Sequence, residues 1–169
     1  FENNHAIIEA ASNGRLDVIK LLLQDARVDP SDQNNAAIIN TSEYGHLDVV
    51  ELLLKDYRVN PGDQDNDAIR LASKNGHFNV VELLLQDPRV DTGDQNNASI
   101  TNAAEYGYYE IVKLLLQDPR VDPSSPANWS IIEASKNGYT DIVEILLQDP
   151  RVNPDDVDNR ALIFASQNG

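Results

Sequence analysis

The sequence predicts an all-α solenoid of stacked helix-turn-helix repeats, and three observations carry that expectation. Glycines stand at 14, 45, 76, 107, 138 and 169, always 31 residues apart. Asn keeps the same period at 4, 35, 66, 97, 128 and 159, as do apolar triplets from Leu21-Leu22-Leu23 to Ile145-Leu146-Leu147. Within a unit the apolar residues follow helical spacing, and all eight prolines fall between one unit's second helix and the next unit's first.

The first helix of unit one follows from Ile7, Ala10 and Ala11. Gly14 then supplies the left-handed residue that ends it. The second helix follows from Leu16, Ile19, Leu22 and Leu23, and the proline-bearing segment beyond it is a loop. Repeating this pattern gives about eleven short helices: five complete 31-residue units and the first helix of a sixth. One unit does not fold alone. Its apolar side chains contribute roughly 1.5–3 kcal/mol each on burial, whereas ordering the backbone costs roughly 1–2 kcal/mol per residue. Stacking buries each apolar face against its neighbour, which leaves function to the surface of the stack.

Composition narrows the functional classes. The 169 residues hold 28 Asp and Glu against 13 Lys and Arg, a formal net charge of −15. Such a field repels phosphate backbones and anionic lipid, so neither nucleic acid nor a membrane is an expected partner. The absence of cysteine removes disulfides, thiolate metal sites and thiol nucleophiles. No apolar run approaches the roughly 20 residues of a membrane span. The chain opens on Phe1 without a targeting segment, so a cytoplasmic piece of a longer array is expected, residues 1–169 forming a single domain.

In the third unit the pattern reads Asp67-Ala68-Ile69-Arg70, Ala72-Ser73, Gly76-His77, Val80-Val81 and Leu83-Leu84-Leu85. These residues resemble the ankyrin repeat, and the resemblance covers the whole chain. The family's Thr-Pro-Leu-His turn is replaced by Ala-Ile-like sequence, and the unit is two residues short in its loop. The resemblance therefore implies an ankyrin-type helical stack with short or absent β-hairpin fingers. It also implies a module without enzymatic activity that binds other proteins through its inner helices and loop tips.

Positions common to every unit serve the shared packing. Arg27, Arg58, Arg89, Arg120 and Arg151 each follow an Asp by two residues, so pairing within the loop is expected rather than a basic stripe. The periodic Asn precedes each first helix and is expected to cap its free N–H groups. Asn-x-Ser/Thr triplets stand at Asn40, Asn97 and Asn128, where chance among 18 asparagines gives about one or two, so they are only weak evidence for secretion. His46 and His77 occupy the family's Gly-His position, a structural one. Asp63, Asp65 and Asp67 begin like a calcium loop, but Ala68 and Lys74 stand where its Gly and Glu belong. No nucleophile, base and orienting acid come together, so neither catalysis nor a cofactor or metal is expected.

Positions that vary are free to serve a partner. The two residues before each Gly read Ser12-Asn13, Glu43-Tyr44, Lys74-Asn75, Glu105-Tyr106 and Lys136-Asn137. The resemblance places them on the concave face. With helices packed roughly 8–10 Å apart, Tyr44 and Tyr106 are expected about 20 Å from each other. Glu43, Lys74, Glu105 and Lys136 then alternate in charge, either as a contact row or as a ladder of salt bridges. Expected contacts are Glu43, Tyr44, Lys74, Asn75, Glu105, Tyr106, Lys136 and Asn137, with Trp129 as a separate anchor at the loop tips or, equally, packed against the adjacent turn. The expected partner is another protein, of basic character given the acidic loops. The alternatives are a spacer that associates end to end, through an open apolar face near Ile163 and Phe164, and a substrate-recruiting array attached to other domains.

Overall fold

The computed structural model describes residues 4–155 and Ile163, with backbone alone at 94–96. The chain divides into two compact units, Phe1–Asp91 and Thr92–Gly169. The first holds α1 (His5–Ser12), α2 (Leu16–Leu22), α3 (Asp32–Glu43), α4 (Leu47–Leu54), α5 (Asp63–Lys74) and α6 (Phe78–Leu85). The second holds α7 (Asp94–Glu105), α8 (Tyr109–Leu115), α9 (Trp129–Asn137) and α10 (Thr140–Leu147). Ten of the eleven expected helices are thus seen, and no strand occurs among the described residues. The eleventh, with Asn159 and Phe164, lies outside the described residues; Ile163 alone is described, helical and half-exposed.

In the first unit α3 packs between α1 and α5, while α4 packs between α2 and α6. Each pair also closes on itself, α1 on α2, α3 on α4 and α5 on α6. The second unit repeats this two-layer plan, with α7 on α9, α8 on α10, and each helix on its partner in the pair. The buried ridges are the periodic residues: Ile7, Ile38 and Ile69 in the first unit, Ile100 and Ile131 in the second. Leu53, Leu84, Leu115 and Leu146, the middle residues of the triplets, are fully buried on the second helices. Ala37 and Ala68 are fully buried between first helices, where a small side chain lets the backbones approach.

The turn glycines are positive in φ, 64° at Gly14 and 80° at Gly107. Gly14, Gly45 and Gly107 meet a second constraint, because the next repeat's ring lies against them. A Cβ at Gly14 would stand 2.7 Å from His46 Nδ1, and one at Gly107 2.7 Å from the Tyr139 ring. A side chain fails there on conformation and on space.

The periodic Asn departs from the expected cap. None of the ten helices has a side-chain hydrogen bond at its N-cap. Asn4, Asn35, Asn66, Asn97 and Asn128 instead sit in left-handed backbone, with φ between 36° and 62°. Each turns its Oδ1 to the next loop, accepting the N–H of Asp29, Asn60, Asp91, Asp122 or Asn153 at 2.7–2.9 Å. The amide nitrogens of Asn4 and Asn35 donate to the Asp32 and Asp63 carboxylates, both at 2.9 Å. A single side chain thus supplies a donor, an acceptor and tolerance of left-handed backbone, a combination only Asn offers without charge. In α3, Gln33, Asn34 and Asn35 are all left-handed, so its right-handed helix begins at Ala36. This turn stands in place of the family-type one.

The arginines pair as expected. Arg58, Arg89, Arg120 and Arg151 each hold the Asp two residues earlier at 2.6 Å, and Arg27 holds Asp25 at 2.5 Å. Arg58 and Arg89 also donate Nη1 to the carbonyls of Val28 and Val59, as Arg151 does to Val121, at 2.6–2.9 Å. The pair therefore fixes its own turn and ties it to the preceding one.

Candidate functional site

The variable pairs lie where expected, at the C-terminal ends of the first helices. In the first unit α1, α3 and α5 present Ser12-Asn13, Glu43-Tyr44 and Lys74-Asn75. In the second, α7 and α9 present Glu105-Tyr106 and Lys136-Asn137. Tyr44 is 56% and Tyr106 43% exposed, large values for side chains of that size. Glu43 and Glu105 are half-buried, and Lys74, Asn75, Lys136 and Asn137 are exposed.

The asparagines at these ends also serve the helix. Asn13 donates to the Glu9 carbonyl at 2.8 Å, Asn75 to Leu71 at 3.0 Å, and Asn137 to Glu133 at 3.0 Å. At Glu9 and Leu71 this is a second bond to a carbonyl that already accepts the same asparagine's backbone N–H. Asn137 reaches the Glu105 carbonyl too, at 3.0 Å, linking α9 to α7. Lys136 bonds Glu133 one turn earlier at 2.9 Å, which raises its pKa, with the more distant Glu105 adding a smaller effect. This ion pair lies within α9.

Trp129 stands apart from the others. It opens α9, at the opposite end of the helix from Lys136 and Asn137, and is 44% exposed. Along α9, Trp129, Glu133 and Lys136 share one face at spacings of four and three.

The remaining polar groups have structural partners. His46 and His77 donate Nε2 to the carbonyls of Ser12 at 3.1 Å and Glu43 at 2.9 Å, joining successive first helices. The three spaced aspartates do not converge: Asp63 accepts from Asn35, Asp67 pairs with Arg70, and Asp65 is exposed. Among the described residues no three His, Asp or Glu gather around a metal-sized space. Asn97 and Asn128 are 4% and 3% exposed with their amide oxygens engaged, which leaves no room for a glycan on the folded chain.

A cleft of about 680 Å³ lies between the ends of α1 and α3, lined by Glu9, Ser12, Asn13, Asn40, Tyr44 and His46. Of these only Tyr44 is among the expected contacts. The signal in the sequence is Ser12, which is short where the other four repeats carry Glu43, Lys74, Glu105 and Lys136. Tyr57 is a second exposed aromatic outside the expected set, 90% accessible at a loop position where three later repeats have proline.

The family model described as ankyrin repeats (3 copies) matches residues 2–65, 42–127 and 100–169, which together span nearly the whole chain. No curated protein matches it in sequence. No helix among the described residues is long and apolar enough to cross a membrane.

Proposed function

The chain belongs to the ankyrin-repeat family, whose members are generally non-enzymatic protein-interaction modules, and we propose that it binds a partner protein through the C-terminal ends of its first helices. The observation that carries this reading is the exposure of Tyr44 and Tyr106 at equivalent positions beside charged neighbours. Exposed tyrosines desolvate a large area at little entropic cost, and they are enriched among residues that dominate interface energies. Glu43, Lys74, Asn75, Glu105, Lys136 and Asn137 are read as the polar surround, and Trp129 as a separate anchor at the other end of α9. The net charge of −15 favours a basic partner. We read residues 1–169 as one array, because the 31-residue period runs unbroken through residue 92.

Site-specific photocrosslinking tests the face. A photoreactive residue at Tyr44 or Tyr106 is expected to trap the partner, whereas one at the outer-helix positions Glu51 or Glu144 is not. Equal trapping from both faces rejects the reading.

A second reading, end-to-end association, is favoured by the outer face of α2. Val18 and Leu21 are 46% and 67% exposed, while Val49 and Val80, the counterparts of Val18, are 1% exposed. Sedimentation over a wide concentration range separates the two, since only association raises the mass.

A further inference from the structure

We propose that the cleft between α1 and α3 is a receptor for an arginine side chain of the partner, an inference that rests on the binding-module reading and gives it a chemical specificity. The argument begins with hydrogen-bond direction. Ser12 Oγ donates its single proton to the Ile8 carbonyl at 2.9 Å. It can therefore only accept from Asn40, whose Nδ2 stands 3.1 Å away. This fixes the Asn40 amide with one of its two N–H groups on Ser12 and its oxygen left over. The same logic fixes Asn13, which directs one amide N–H to the Glu9 carbonyl, an obligate acceptor.

One N–H of each amide is thus used within the protein. Nothing among the described residues donates to Asn13 Oδ1 or Asn40 Oδ1. His46 directs Nε2 to the Ser12 carbonyl, away from any ligand. Glu9 adds a carboxylate that is more than half exposed, with His5 Nε2 at 3.8 Å, beyond hydrogen-bond distance. Tyr44 adds an exposed ring, its centroid 6.4 Å from that of His46 and tilted by 37°.

A cleft furnished with acceptors, one negative charge and an aromatic face calls for a flat cation with many donors. Guanidinium meets that description: it presents five N–H groups in a plane, pairs with carboxylate and stacks on an aromatic ring. An ammonium is a compact point charge with three donors and matches the spread acceptors less well. Space is available because Ser12 is short. At the same helical position Lys74 and Lys136 supply a cation from the chain itself.

The test is a titration followed by heteronuclear NMR in about 0.15 M salt, where the Debye length is about 8 Å and diffuse attraction to the acidic surface is damped. The probe is N-acetyl-arginine amide, compared with the lysine amide and with its neutral isostere, the citrulline amide. Saturable shifts are expected at the side-chain amides of Asn13 and Asn40 and at Tyr44. Affinity for citrulline is expected to be at least about tenfold weaker, because the ion pair and the cation–π contact are lost. Glu9→Gln is expected to weaken arginine binding, and Ser12→Lys to abolish it by filling the cleft with a tethered cation. Ser12→Lys is compatible with the fold, as lysine stands at that position in two repeats. Shifts spread over the Asp-rich loops without saturation overturn the proposal, as does an equal response to citrulline or lysine amide. The probe needs no partner, so its failure leaves the wider face to be judged by Tyr106. Saturation here together with partner affinity indifferent to Tyr44 and Tyr106 rejects the wider face alone.

Discussion

Asn35 Oδ1 accepts the backbone N–H of Asn60 at 2.7 Å, across 25 residues of sequence, while its Nδ2 donates to Asp63 at 2.9 Å. The oxygen's bond recurs at each described periodic Asn, so this side chain clamps one repeat's turn to the next repeat's loop.

Removing the clamp takes the acceptor from the Asn60 N–H, a part-buried bond whose net contribution is about 0.5–1.5 kcal/mol. Asn35→Gly keeps the left-handed backbone and removes both side-chain bonds, to Asn60 and to Asp63. Asn35→Ala adds about 1–2 kcal/mol, because alanine is strained at a φ of 61°. Urea denaturation of both variants checks the order: wild type most stable, then glycine, then alanine.

Ser42 and Ser73 work in the opposite sense. Their hydroxyls are fully buried and have no hydrogen-bond partner. Ala11 and Ala104 occupy the same position in two other repeats, both fully buried. Ser42→Ala and Ser73→Ala are each expected to stabilise the chain by about 1 kcal/mol, since an unsatisfied hydroxyl is removed without opening a large cavity. A denaturation midpoint that falls in both variants contradicts this.

The arginine turns set the response to acid. Side-chain hydrogen bonds from Arg58, Arg89 and Arg151 hold Asp56, Asp87 and Asp149 below the usual carboxylate range, with partial burial opposing them. At Asp118 burial is the largest influence and pushes upward, but the bonds from Arg120 prevail. A carboxylate whose pKa is depressed by folding contributes stability above its unfolded value and loses it as pH falls towards the folded one. Stability is therefore expected to be flat from neutral pH to about pH 5 and to decline progressively below about pH 4. Thermal unfolding across this range checks it. Asp87→Asn is expected to lower neutral stability and to flatten the acid limb.

Secretion offers a separate check on the buried asparagines. Passage of the chain through a glycosylating compartment is expected to yield folded protein without glycans at Asn97 and Asn128. Folded, fully glycosylated protein detected by mass spectrometry rejects the clamp at those positions.

The helices and their turns were legible because they rest on local periodicities: Ile7 and Ala10 repeat at helical spacing, and Gly14 marks the reversal. The arginine pairing was legible because Asp87 and Arg89 lie two residues apart. The clamp was not, because its partners are 25 and 28 residues away and a cap assigns the same Asn to its own helix. The cleft was hidden for a related reason. Its polarity depends on which way the Asn40 amide turns, and that is decided by Ser12 on another helix. Lys136 had partners on either side in sequence terms, Glu105 in the neighbouring repeat and Glu133 in its own, and helical spacing of three favoured the latter.

The most direct test is the affinity of a partner trapped at Tyr44 or Tyr106 for the wild-type chain and for the double variant Tyr44→Ala, Tyr106→Ala, measured by calorimetry with unfolding midpoints taken in parallel. The expected result is a loss of at least about tenfold in affinity, the scale of removing interface hot spots, with the midpoint unchanged. Undiminished affinity in a natively folded double variant contradicts a binding face at the ends of the first helices.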